Sequence, residues 1–221
     1  MNLMASRLTS MARTRLFDRF NPASLPVLAA AILTLVVIRL LLYRAGTLGA
    51  GPMAEVLCAW DCDWYLTIIE HGYDAAPRTA QNDTANWAFF PAYPMLVSAI
   101  TAVLPVRAVT ASFWVNVAIL PFLVAAMLAW VRATRTTRAE PGGEIEFLLF
   151  TLIWPFSLYF TLSYTEALFG LLLMLCLLLL RRGQWLPAAL LAFGMCLTRP
   201  TGTLVTAILA LSAFAAAVRP L

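Results

Sequence analysis

Apolar positions in this chain fall into long runs at residues 25–43, 89–104, 111–131, 147–160, 167–180, 185–197 and 204–218, and charged residues stand mostly at the ends of those runs. Apolar stretches near 20 residues predict helices that cross a bilayer, although several of these fall short of that length. Between the first two runs lies a polar stretch with a different rhythm. There Leu57, Trp60, Trp64 and Ile68, with the neighbouring Tyr65, recur at three- and four-residue spacing. This spacing predicts a short helix over residues 52–71 whose aromatic face lies in the headgroup layer. Pro52 suits its first turn, Glu55 complements the N-terminal dipole, and Gly72 supplies the stop. The pattern as a whole predicts an all-α, polytopic helical membrane protein with a juxtamembrane helix in its first outer loop.

Composition supports this class. Apolar residues make up 62% of the 221 residues and charged residues 12%, more apolar surface than a soluble domain of this size can hide. The chain has room for about five or six spans of ~20 residues. Its net charge of +4 comes from fifteen arginines and no lysine. At the ends of apolar runs they read as topology signals and headgroup contacts, which argues against a nucleic-acid partner and for a lipid bilayer. Arg7, Arg13, Arg15 and Arg19 precede the first run and place residues 1–24 in the cytoplasm. The run at 25–43 is too long for a signal peptide and no small-residue cleavage site follows closely, so it reads as a retained anchor. Arg39, near its far end, is expected to snorkel to the interface. Residues 44–88 then form an outer loop, and residues 89–221 carry the remaining helices. If every run crossed, the clusters Arg132/Arg135/Arg138 and Arg181/Arg182 would both fall outside. The run at 89–104, with Pro91, Pro94 and Pro105 in or beside it, is therefore expected not to make an ordinary crossing. Residues 163–166 and Arg199 then share the outer side with the polar loop.

The candidate chemistry gathers in that loop. It holds Glu55, Asp61, Asp63, Glu70, Asp74 and Asp83 against Arg44 and Arg78, together with the chain's only histidine, His71. Asp61 and Asp63 form an Asp-x-Asp pair that in an extended loop could share a divalent metal. On a helix, residues two apart diverge by about 200° and could not. The other reading needs one carboxylate: Asp61, between Trp60 and Trp64 on a partly desolvated helix, as a general base. A plain water-facing surface charge is the bland alternative. His71 is an acid, base or metal ligand on one reading and an ordinary helix-end residue on the other. Glu166 lies at the edge of two apolar runs and must be solvated or paired. It is either a functional acid or a stabiliser of the helix N-terminus that follows. Arg199, in the break between two runs, suits a lipid phosphate, or else it is a snorkelling loop arginine. The four cysteines suggest no framework. Cys176 and Cys196 sit in apolar runs as small hydrophobes, while Cys58 and Cys62, four apart, are half of a zinc site at best.

Several blocks occur in a specific order: Trp60-Asp61-x-x-Trp64-Tyr65, Gly72-Tyr73, Phe89-Phe90-Pro91-x-Tyr93-Pro94, then Pro155, Ser163-Tyr164-Thr165-Glu166-x-Leu168-Phe169 and Thr198-Arg199-Pro200-Thr201-Gly202. In this order they resemble the family of GPI mannosyltransferase 2 (PIG-V) and its bacterial relatives. The resemblance implies a multi-pass membrane glycosyltransferase of the GT-C class, in the plasma membrane if bacterial. Such enzymes move mannose from a polyprenyl-phosphate donor to a glycan or glycolipid acceptor with inversion, on the non-cytoplasmic side. It implies Asp61 as the base or acceptor-orienting group. Trp60, Trp64, Tyr65, Tyr93, Tyr164, Glu166 and Arg199 follow as substrate-binding residues, with Arg199 at the lipid phosphate. Asp63 stands where relatives tolerate other residues, so a metal on Asp61 and Asp63 is no more than a possible cofactor. Relatives are commonly longer, with further spans after the Thr-Arg-Pro block. The chain thus reads as an N-terminal half, for which a second protein half is an expected partner. A non-catalytic membrane subunit that binds a lipid or a partner enzyme is the alternative. A transporter fits poorly, because the ionisable groups gather at the ends of runs.

Overall fold

A computed structural model describes residues 25–78, 82–134 and 143–218. The basic segment with Arg7, Arg13, Arg15 and Arg19, and the arginines at 135 and 138, lie outside the described residues. The first apolar run folds as α1 (Leu25–Gly46). The helix expected over 52–71 is two shorter ones, α2 (Met53–Val56) and α3 (Cys62–His71), with a sharp turn between them. Then follow α4 (Ala92–Val103), α5 (Ala108–Thr134), α6 (Gly143–Ile153), α7 (Glu166–Arg181), α8 (Trp185–Cys196) and α9 (Pro200–Val218). Short 3₁₀ turns at Asn86–Ala88 and Pro155–Phe160 precede α4 and α7. Among the described residues the regular structure is all helical, with one isolated bridge between Arg78 and Thr84.

Local chemistry sets these boundaries. Gly72, at φ 80°, adopts a backbone that side chains disfavour and ends α3. Trp154 is held extended, with ψ 133°, because Pro155 follows it, so α6 stops there and the expected run at 147–160 breaks in two. The run expected not to cross ordinarily forms α4, whose 12 residues extend about 18 Å, against a hydrocarbon layer of about 30 Å. Residues 29–46 of α1 and the whole of α5 are long and apolar enough to cross a membrane.

Three apolar clusters hold the helices together. Ile32 and Val36 of α1 pack against Phe113, Val117, Leu120 and Val124 of α5. Tyr65, Tyr93, Val97, Val115, Leu162 and Tyr164 form a second cluster, which underlies the site. Cys176, Ala188, Ala192 and Met195 join α7 to α8. Cys176 is buried, as a small hydrophobe should be.

Arg39 does not snorkel. It is 6% exposed, and its guanidinium turns inward to the Leu152 carbonyl at 2.6 Å, the Ser157 hydroxyl at 2.6 Å, the Thr161 hydroxyl at 2.8 Å and the Ser157 carbonyl. Acceptors beside the Pro155 break satisfy it inside the fold, which removes the reason to reach for water.

α8 and α9 meet backbone to backbone where the chain turns at Leu197–Arg199. A Cβ on Gly202 would stand 2.0 Å from the Met195 carbonyl oxygen, which cannot rotate away. Gly202→Ala is therefore expected to destabilise the protein by about 1–3 kcal/mol. A melt in detergent checks this; an unchanged midpoint would show that the two helices separate freely.

Candidate active site

The turn between α2 and α3 is closed by a disulfide between Cys58 and Cys62. This corrects the expectation that the cysteines form no framework and removes both sulfurs from any zinc site. The loop it closes forces Trp60 to φ 52°, rare for a bulky side chain, and leaves the indole 68% exposed. Asp61 follows at the N-cap of α3, with its side chain making no capping bond. The residue is exposed, so the desolvation expected of it is absent and its carboxylate is open to water and ligand.

Tyr164 ties this turn to the rest of the molecule. Its hydroxyl accepts the Asp61 N–H at 3.1 Å and donates to the Ala59 carbonyl at 2.8 Å. Tyr164 is itself held from α5, where the Asn116 amide donates to the carbonyls of Leu162 and, at 2.9 Å, of Tyr164. The Ser112 and Ser163 hydroxyls meet at 2.7 Å beside it. Burial raises the Tyr164 hydroxyl above its ordinary pKa, against the opposing hydrogen bond from Asp61, so it stays a neutral donor. Tyr65, also buried, is pushed up to about 12, with a hydrogen bond to Thr165 pulling the other way.

Two residues after Tyr164 the chain enters α7 at Glu166. Arg199, from the turn before α9, places Nη1 3.0 Å from Glu166 Oε1 and its guanidinium 5.7 Å from the Phe169 ring centre. The second oxygen of Glu166 is buried without a hydrogen-bond partner. Trp60, Asp61, Tyr65, Tyr164, Glu166 and Arg199 line one open cleft of about 340 Å³, within the range of ligand sites. Phe89, Phe90, Tyr159, Thr165 and Thr198 line it as well. The cleft therefore presents carboxylates, one guanidinium and several aromatic faces.

Other expected residues stand elsewhere. Trp64 stacks on Phe89 at 5.9 Å, with Arg78 over its ring, outside the cleft lining. Tyr93 is fully buried behind Tyr65 and donates to the Ser112 carbonyl at 3.0 Å. Asp63 lies in the first turn of α3 and His71 in its last, both exposed and neither lining the cleft. Asp61 and Asp63 thus do not converge on the cleft as a metal pair. Among the described residues no three His, Cys, Asp or Glu side chains cluster as a metal site would need.

Phe89 and Phe90 reach the cleft through a tied loop. The Asp74 carboxylate accepts from Arg78 at 2.7 and 2.9 Å and from the Asn86 N–H at 3.0 Å. Asn86, fully buried, accepts the Asp74 N–H at 2.9 Å and donates to the Gly72 carbonyl at 3.1 Å. The Trp87 indole donates to the Asp74 carbonyl and the Tyr73 hydroxyl to the Phe89 carbonyl. Sequence reading missed this knot, because an Asp and an Asn twelve residues apart leave no periodic trace. Tyr159 was missed for a similar reason: it sits in a broken apolar run and only the 3₁₀ turn aims it.

An all-helical fold in which an exposed carboxylate and an ion-paired arginine share an aromatic cleft suits transfer of a polar group from an anionic donor. The chain belongs to the mannosyltransferase (PIG-V) family: that family's model matches residues 49–217. No curated protein and no solved structure matches the chain.

Two outcomes test the geometry. Tyr164→Phe strands the Asp61 amide and the Ala59 carbonyl, so it should cost about 1–3 kcal/mol in a detergent melt and lower mannosyl transfer per folded molecule. Unchanged stability and transfer would show that the bridge is idle. The second outcome concerns pH. Hydrogen bonds from Arg78 above all, and from the Asn86 amide, hold Asp74 below the usual carboxylate range against some desolvation. The knot's contribution is then complete above the unfolded value of about 3.9 and is lost only as pH falls below it. Trp87 fluorescence should report an opening below about pH 4 that Asp74→Asn lacks. A transition that survives in Asp74→Asn would assign it to another group.

Proposed function

We propose that the cleft is the active site of a multi-pass membrane mannosyltransferase that uses a polyprenyl-phosphate mannose donor. The acceptor is a hydroxyl of a glycan or glycolipid. The observation that carries this reading is that Asp61 and Arg199, far apart in sequence, line one cleft with complementary charges.

Asp61 takes the acceptor's proton as the acceptor oxygen attacks the anomeric carbon. The bond from that carbon to the phosphate oxygen breaks, and its electron pair leaves with the phosphate. Arg199, oriented by Glu166, holds the departing anion. A phosphate is already a good leaving group, so positioning and charge stabilisation carry most of the rate. One displacement with one base inverts the anomeric centre. Trp60 and Tyr159, 6.0 Å apart at the cleft, offer aromatic faces to the sugar.

Two observations support a membrane setting with the cleft on the non-cytoplasmic side. A disulfide beside Asp61 suits an oxidising compartment. Leu186, Leu190 and Phe193 of α8, and Leu204, Ile208 and Leu211 of α9, face outward as apolar stripes suited to lipid. The GT-C class fits this arrangement.

The test is transfer of radiolabelled mannose from polyprenyl-phosphate mannose in membranes. Asp61→Asn should lose about 10²–10⁴-fold in rate. Arg199→Met should raise the donor KM and lower kcat, with Arg199→Lys in between, because lysine keeps the charge and loses the planar fork. Undiminished transfer by Asp61→Asn would remove Asp61 from the mechanism. No transfer by wild type from any polyprenyl-phosphate sugar would favour a non-catalytic membrane subunit.

A further inference from the structure

α1 contributes nothing to the lining of the cleft, yet it sends a buried guanidinium into the protein. A cation withdrawn from water on an apolar helix is costly unless its donors are satisfied. Beside Tyr43 of its own helix, whose hydroxyl bonds it and whose ring lies 5.1 Å from the guanidinium, the acceptors of Arg39 come from one segment. They are the Leu152 carbonyl at the end of α6, the hydroxyl and carbonyl of Ser157, and the hydroxyl of Thr161. These acceptors are neutral. The arrangement therefore uses the planar fork of the guanidinium as much as its charge.

That segment is the break between α6 and α7. Pro155 ends α6, and the chain winds through a 3₁₀ turn, a geometry with poorer hydrogen bonds than an α-helix. Such a turn has little rigidity of its own, and Arg39 fastens both of its ends. The residues it carries are those of the site. Tyr159 lines the cleft, packs edge-on against Tyr164 at 5.6 Å and meets Trp60 at 6.0 Å. Tyr164, three residues beyond Thr161, bears the hydroxyl that holds the Asp61 backbone.

We infer that Arg39 is a positioning residue for mannosyl transfer. It clamps residues 152–161, so that Tyr159 and Tyr164 are aimed into the cleft and Asp61 is held through Tyr164. This rests on the reading of the cleft as the transfer site. Arg39 touches no reacting atom; it acts through the turn. A cavity of about 230 Å³ beside it, walled in part by Leu35, Ile38 and Leu158, leaves room for a replacement side chain to settle.

The experiment compares wild type, Arg39→Lys and Arg39→Met in detergent by steady-state transfer from polyprenyl-phosphate mannose and by amide hydrogen exchange. Arg39→Met should lower kcat about 100-fold, the scale of a small misplacement at a reacting centre. The donor KM should change by less than about threefold, because the phosphate contact through Arg199, held by Glu166 outside the clamped segment, remains. Arg39→Lys should restore part of the rate. Exchange should quicken over residues 157–165 and stay unchanged in α8. A kcat for Arg39→Met close to wild type would overturn the inference. So would exchange rising equally through α7 and α8, the mark of a loosened scaffold. If Arg39→Met fails to fold, Thr161→Val removes one acceptor and keeps the charge; it should lower kcat at constant KM, and an unchanged kcat would overturn the inference. If wild type transfers no mannose, the reading of the cleft fails, and exchange alone decides the clamp: unchanged exchange over 157–165 overturns it.

Discussion

The hydroxyl of Tyr164, shared between the Ala59 carbonyl and the Asp61 amide, is the contact on which the cleft depends. It joins a turn near residue 60 to a connection near residue 160, two parts of the chain with no covalent reason to meet. Each side is prepared for the meeting. The Cys58–Cys62 disulfide closes the turn that presents the Ala59 carbonyl and the Asp61 amide to Tyr164. From the other side, Asn116 and Ser112 of α5 hold the strand of residues that carries Tyr164. The two sides are thus set before they meet, and little order has to be gained at the moment of contact. Asp61 benefits because its backbone is held while its carboxylate stays uncommitted.

The same economy appears in the division of charge. Glu166 and Arg199 pair with one another, which keeps a guanidinium in place at a surface where a lone arginine would roam. Asp61 is left exposed and Arg39 buried, an inversion of what position along the helices suggested. Burial near an apolar helix end is sustainable for Arg39 because a proline-broken turn supplies acceptors that a continuous helix would have used internally. The break in the run at 147–160 is therefore a source of hydrogen-bonding groups as well as a change of direction.

Much of this was legible in the sequence. The apolar runs foretold an all-helical chain, and the prolines around residues 91–105 marked the short α4. The ordered blocks foretold the family, and they also held eleven of the residues that line the cleft, all but Ala88 and Tyr159. The rest was not legible, for physical reasons. Three- and four-residue spacing over 52–71 fits one helix as well as two helices whose axes change at Trp60, and only the disulfide decides between them. Trp64 and Tyr93 belong to the same set of ordered blocks as Asp61, yet Trp64 stacks on Phe89 and Tyr93 packs behind Tyr65, both outside the cleft lining. A motif records which residues matter without saying which of them face the ligand. Arg39 was misread because its position near a helix end carries no information about acceptors contributed more than a hundred residues later.

The central claim is that one exposed base, Asp61, works opposite an arginine whose carboxylate partner is already engaged. On this proposal Asp61 is the exposed carboxylate that takes the proton, and Glu166, one oxygen of which pairs with Arg199, orients that arginine rather than acting as a covalent nucleophile. The anomeric configuration of the first-formed product, read by NMR on wild-type transfer from polyprenyl-phosphate mannose, tests this directly. A linkage of configuration opposite to that of the donor is the result this account predicts. Retention of the donor's configuration would mean two successive displacements and would contradict it.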